Sequence, residues 1–275
     1  MRAVTADDLT AGVRELGVSG RVVCLHSSLR SFGEVAGGAA AVIDAFLAEG
    51  CTVLVPSFSW TYAVAVPVDL RPARNGLDYG TAKEFPPAGI FDPATTEIDG
   101  RMGAIPAEVV RRPERARGDH PLCSFSAVGP GASRVVAGQT ASDVYAPLRA
   151  LAESDGDLVL LGVGLTSATL LHLAEERAGR TLFRRWANGP DGEIRMVPVG
   201  GCSDGFDAFA PLLAPVKRET RVGASAWIAY PAAEMLSIAI RAIQRTPALT
   251  RCADPACVRC SDAVAGGPLL DQRSS

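Results

Sequence analysis

His172 and Glu175, in the stretch LHLAEERA, stand three residues apart, a spacing that brings both side chains to one face of a helix. A histidine held near a carboxylate in a partly apolar pocket is oriented and tuned to take a proton near neutral pH. Such pairs are also ordinary on helices, and from spacing alone a hydrogen-bonded, half-buried histidine beside a solvated glutamate is the plainer reading. Rarity shifts the balance: the chain has three histidines, and the other two, His26 and His120, also fall where a strand or loop meets a turn. His120 precedes Pro121 and is expected in extended backbone, where a loop histidine and an active-site histidine are equally good readings. His26 opens HSSLRSFGEVAGG, in which an apolar run ends in Ser27 and Ser28 before two glycine-punctuated turns. Backbone N–H groups at such a turn point toward whatever sits above a sheet. Neither serine stands in a G-x-S-x-G turn, which weakens an acyl-enzyme route. No dinucleotide fingerprint or G-x-x-x-x-G-K-[ST] phosphate loop occurs.

Cysteine supplies a second kind of chemistry. Of seven cysteines, Cys24, Cys51 and Cys123 lie in or beside apolar segments and read as small core residues. Cys252, Cys257 and Cys260 crowd into RCADPACVRC, and Cys202 offers a fourth sulfur. Four thiolates suit a closed tetrahedral zinc site with a structural role. Two disulfides or four reduced thiols are the alternatives, the disulfides being disfavoured in a reducing cytoplasm.

These residues need elements to position them. RVVCLHSS and CTVLVPSFS are short apolar, β-branched runs separated by AAAVIDAFLAEG, whose spacing and closing Gly50 predict a helix. The pattern returns as the strand DLVLLGVGLTS and the helix ATLLHLAEERAG, and PAAEMLSIAIRAIQRT predicts a further helix. Strands alternating with helices predict an α/β fold with a parallel or mixed sheet covered on both faces, whose ligands gather at the carboxyl ends of the strands. Three such ends carry His26-Ser27-Ser28, Ser57-Phe58-Ser59, and Gly164 leading to His172. The stretch 63–100, rich in Pro, Asp and Gly, reads as a long functional loop.

With 275 residues, 48% of them hydrophobic, the chain can bury a large core. A net charge of -3 and a pI near 5.7 leave no basic stripe for nucleic acid. No apolar run reaches membrane-spanning length, and the acidic N-terminus lacks the apolar region of a signal peptide; a soluble cytoplasmic protein is expected.

The ordered series LHSSLRSFGEVAGGAAAVIDAFL, CTVLVPSFSW, FDPATTEIDGRMGAIPAEVVRRPERARGDHPLCSFSAVGP and LVLLGVGLTSATLLHLAEERAGR resembles the aminoglycoside 3-N-acetyltransferases over roughly residues 25–180. The resemblance implies that family's own three-layer α/β/α fold with a central mixed sheet. It implies acetyl-coenzyme A as cosubstrate and an aminoglycoside or related amino-bearing small molecule as acceptor, hence antibiotic resistance. It makes His172 the catalytic histidine and Glu175 its support, reversing the plainer reading. By the same resemblance Ser27, Ser28, Phe32, Gly33 and Val35 border the pantetheine arm and thioester, and His26 and His120 line the same cleft. The chemistry is consistent: an ammonium ion must lose a proton before it attacks a thioester, and direct attack builds an oxyanion, for which Ser57 is one candidate donor. Asp92, Glu97 and Asp99 could hold a polycation, although each is also an ordinary turn or capping residue. Exchanging Glu175 for glutamine should harm less than losing His172, because orientation rather than the base is removed.

After Arg180 the sequence departs from the drug-modifying pattern: FRRWANGPDGEIRMVPVGGCSDGFD resembles a subset with a GCS-x-GF segment and C-terminal cysteines. The expected organisation is one acetyltransferase domain over 1–265, with a zinc-bound segment at 250–262 and a flexible tail at 266–275, as a monomer or homodimer. A coenzyme-binding relative without turnover and an acyl-coenzyme A hydrolase are the competing readings.

Overall fold

The computed structural model describes residues 2–80 and 88–269. Its strands are β1 (Val22–Ser27), β2 (Thr52–Pro56), β3 (Ala63–Val64), β4 (Ala116–Arg117), β5 (Phe125–Val128), β6 (Asp157–Leu161), β7 (Phe183–Asn188), β8 (Ile194–Val199), β9 (Arg218–Val222) and β10 (Ser225–Pro231). Seven form one sheet in the order β4-β5-β2-β1-β6-β10-β9, and β3-β7-β8 form a second. The three central strands β2, β1 and β6 run parallel, while β5 and β10 pair antiparallel on either side. Every residue of β2 and β6 is buried, as the unbroken apolar runs VLV and LVLL require of strands covered on both faces.

Side-chain alternation along the strands builds the layers. Cys24, Leu158 and Leu160 pack on one face with helices α4 (Ala132–Val136), α5 (Ala146–Glu153), α6 (Leu170–Arg177) and α7 (Ala232–Arg245). Val23, Leu25, Val159 and Leu161 pack on the other with α1 (Ala6–Glu15), α2 (Gly38–Ala48) and α3 (Ala104–Arg111). The result is the expected α/β fold, helices on both faces of a central mixed sheet. Period two also puts His26 on the same side as Cys24, the side that carries α6.

The stretch 63–100 is mostly irregular, broken by β3 and single turns of 3-10 helix; residues 81–87 lie outside the described part. The C-terminal end is held further than expected. The carbonyl of Gly266 accepts from the Thr181 N–H at 3.0 Å, and Gly267 N–H bonds Asp262 O at 2.8 Å. The rest of the predicted tail, 270–275, lies outside the described residues. Among the described residues no helix is long and apolar enough to cross a membrane.

Candidate active site

The carboxyl ends of the parallel strands β1, β2 and β6 open into one cavity of 330 Å³, the location the strand polarity dictates. Leu25, His26 and Ser27 reach it from β1, Pro56, Phe58 and Trp60 from the end of β2, and Thr166, Thr169 and His172 from the turn after β6. Val199 and Gly200, at the end of β8 in the small sheet, form the facing wall. A larger groove of 960 Å³ runs beside it between the 27–33 turn and residues 96–104. The two share Ser27, Arg101 and Met102.

His172 sits in the first turn of α6. Its Nδ1 is 2.8 Å from Glu175 Oε2, and its ring packs against Phe206 with centroids 4.8 Å apart. Both partners are buried. The other carboxylate oxygen, Oε1, accepts from Arg180 Nη1, which also donates to Thr250 Oγ1 at 2.8 Å. A carboxylate only accepts, so Nδ1 carries the imidazole proton and Nε2 presents its lone pair to the cavity. The guanidinium neutralises a carboxylate that burial would otherwise penalise.

Other candidates divide between the two spaces and the core. His26 lines the cavity floor, and burial pushes it down to about 4, so it is neutral near pH 7. Ser27, Ser28 and Gly33 line the groove, Gly33 at φ +82°, where only glycine sits without strain. Phe32 and Val35, expected beside them, face inward. Phe32 is 2% exposed with its ring edge-on to Trp227 at 5.7 Å, and Val35 packs on the same core. Ser57 is withdrawn as well: its hydroxyl is fully buried, 2.8 Å from Ser126 Oγ and 3.1 Å from Ser124 O, and its carbonyl accepts from Arg117 at 2.8 Å. Arg117 meets hydroxyls and carbonyls instead of an acid, and burial lowers it to about 10. Glu97 and Asp99 line the groove, Asp99 engaged with Arg101 at 2.7 Å, while Asp92 caps Ala94 N–H at 2.8 Å and reaches neither space. Among the described residues no carboxylate lines the His172 cavity.

His120 is a staple, not a cleft residue. It is fully buried, its Nδ1 accepts from Cys123 N–H at 2.9 Å, and its Nε2 donates to Pro198 O at 3.0 Å. It therefore ties the approach to β5 to β8 of the small sheet. Burial pushes it down to about 4 from 6.5. Between those values the unfolded chain binds a proton that the folded chain refuses, so stability falls as pH drops from 6.5 toward 4. His26 adds a second proton of the same sign. Thermal melts of wild type should fall steeply across that window, and His120→Gln should be less stable at pH 7 yet show a shallower acid slope. A wild-type melting temperature flat over the window would contradict the assignment.

The four cysteines expected to act together do converge: the sulfurs of Cys202, Cys252, Cys257 and Cys260 all lie within 4.8 Å of one another, and all seven cysteines are unpaired. Cys202 follows Gly201 and precedes Ser203, both lining the His172 cavity.

A family model described as aminoglycoside 3-N-acetyltransferase matches residues 24–244. The chain belongs to this family. Aminoglycoside N(3)-acetyltransferase VIII of Streptomyces fradiae is 30% identical over 272 residues, covering 88% of this chain and 92% of that one. A histidine-to-alanine variant of aminoglycoside acetyltransferase AAC(3)-IVa, in complex with a gentamicin, superposes with a TM-score of 0.76 at 25% identity, covering 97% of this chain and 98% of that one. AAC-IIIb, as a binary complex with CoASH, shares the fold with a TM-score of 0.73 at 24% identity, covering 89% and 97%.

Two residues of this acetyltransferase-family site escaped the sequence reading. Arg180 lies just past Gly179, which closes α6, where a basic residue reads as a routine helix-end charge. Its five-residue offset from Glu175 was the available signal. Tyr145 stands immediately before α5 and lines the cavity; nothing in its local pattern points there.

Proposed function

We propose that this chain transfers the acetyl group of acetyl-coenzyme A to an amine of an aminoglycoside or a related amino-bearing small molecule, with His172 as general base and direct attack of the amine on the thioester. The observation that carries this reading is the line of contacts behind His172. Arg180 occupies one oxygen of Glu175, the other orients the imidazole, and the free Nε2 faces the cavity. An amine entering there loses its proton to Nε2 as it attacks the carbonyl carbon. The groove holds the coenzyme along Ser27, Ser28 and Gly33, and its acetyl end arrives at the junction formed by Ser27 and Met102. The gentamicin complex and the CoASH complex of the structural relatives support small molecules as acceptor and donor. Glu97 and Asp99 line the groove and not the cavity, so they can hold the amine only from the groove side.

The cysteine cluster suits zinc by its donor set and spacing. Tetrahedral Zn–S bonds of about 2.3 Å place sulfurs about 3.8 Å apart, and Cys252 and Cys260 already stand at 3.5 Å. Bound there, zinc supplies structure: it ties the segment after Thr250 to the loop that carries Cys202. Unpaired thiols and coenzyme chemistry together favour a cytoplasmic setting.

The test is release of coenzyme A thiol from acetyl-coenzyme A, followed across a panel of aminoglycosides and simpler amines. Thiol release that depends on an amine supports the transferase. Release without any amine makes the chain a hydrolase, and coenzyme binding with no release makes it a binder.

A further inference from the structure

The hydroxyl expected to stabilise the oxyanion, that of Ser57, is spent inside the core, and the cavity offers another. Tyr145 is 2% exposed, its side chain lines the cavity, and its hydroxyl makes no hydrogen bond to any described residue. A phenol whose ring is held in the core while its hydroxyl opens onto a polar cavity, engaged by no described residue, is free to hydrogen-bond whatever enters. Its placement beside the base is fixed by Gly200. A Cβ at that position would stand 2.6 Å from the Tyr145 hydroxyl and 2.7 Å from His172 Cδ2, so phenol and imidazole flank one backbone atom that leaves them room. Cδ2 adjoins Nε2, the nitrogen that meets the amine.

Resting on the transferase reading, the geometry points to Tyr145 as the catalytic residue that donates a hydrogen bond to the thioester carbonyl oxygen as it becomes an oxyanion. The amine nitrogen forms its bond to the carbonyl carbon, the carbonyl π pair moves onto oxygen, and Tyr145 O–H holds that charge. When the pair returns, the C–S bond breaks and the thiolate leaves, taking up the proton that His172 removed from the amine. Amide and free thiol are the products, and Tyr145 keeps its own proton throughout. Burial supports this, holding the phenol well above its ordinary value and therefore protonated.

The decisive experiment is infrared difference spectroscopy of acetonyl-coenzyme A, a non-hydrolysable ketone, bound to wild type, to Tyr145→Phe and to Thr169→Val, the last removing another buried hydroxyl of the same cavity. Hydrogen bonding lowers a carbonyl stretch. The expected result is a lowered frequency in wild type and Thr169→Val that returns toward the solution value in Tyr145→Phe. In the same variant kcat with the best amine should fall about a hundredfold or more, with KM for acetyl-coenzyme A unchanged. A carbonyl frequency in Tyr145→Phe still lowered as in wild type, a loss of the lowering that follows Thr169 instead, or a rise confined to the KM of the amine overturns the assignment while leaving the transferase intact. A wild type that binds neither acetyl-coenzyme A nor the ketone fails at the earlier step and overturns both.

Discussion

His172→Ala is expected to cut amine-dependent thiol release by about 10²- to 10⁴-fold, the range of a lost general base, while the protein stays folded. The fold should survive because Arg180 continues to neutralise Glu175 after the imidazole is gone. Glu175→Gln is expected to be nearly as damaging, contrary to what its position in the sequence suggests. A glutamine amide has one acceptor, and Arg180 can only donate, so the amide oxygen turns to the guanidinium and the NH₂ turns to Nδ1. Nδ1 must then accept, the proton moves to Nε2, and the base is lost to the wrong tautomer. Steady-state kinetics with matched thermal melts check both variants. Folded His172→Ala with near-normal turnover would remove the base assignment, and Glu175→Gln with more than about a tenth of wild-type kcat would remove the tautomer argument.

Protein purified without chelator should contain close to one zinc per chain, and Cys257→Ser combined with Cys260→Ser should lose it. A site that joins Cys202 to a segment some fifty residues later contributes its binding energy to folding. The melting temperature of the double variant should therefore drop by about 10 °C, at ~2–4 °C for each kcal/mol lost in a chain of this size. Turnover should fall with it, because Thr250 Oγ1 and the Pro247 carbonyl hold Arg180, and Cys202 stands between two residues that line the cavity. Elemental analysis, melts and limited proteolysis after Thr250 measure these effects. Absence of metal, together with free reaction of all four thiols in the native protein, would make the cluster a set of ordinary reduced cysteines.

The central βαβ unit, β6 and its helix were legible because parallel strands buried on both faces write themselves as unbroken apolar runs. The small sheet was not, since FRRWAN in β7 puts two arginines in a strand whose pattern matches neither period. Spacing put His172 and Glu175 on one helix face without deciding their role, which came from the family resemblance, and the cysteines were legible by clustering. Phe32 and Ser57 went astray because turn sequence does not say which way a side chain points: Phe32 turns under its loop onto Trp227, and Ser57 turns into the serine cluster. Arg180 is held by Thr250 and Pro247, some seventy residues on, and Tyr145 reaches the cavity across the fold; beyond the offset of Arg180 from Glu175, no local pattern encodes those placements.

The meeting of two separate sheets at one cavity has an evolutionary consequence. The strand ends of the large sheet and α6 carry His26, Ser27 and His172, while the far wall belongs to β8 and the turn that follows it. Drift in the hairpin β7–β8 can reshape the space offered to an acceptor without disturbing the donor side. On the transferase reading, a lineage with this architecture can exchange one acceptor for another while the donor side stands still, and the stretch FRRWANGPDGEIRMVPVGGCSDGFD, which the sequence reading sets apart, falls on the side free to change.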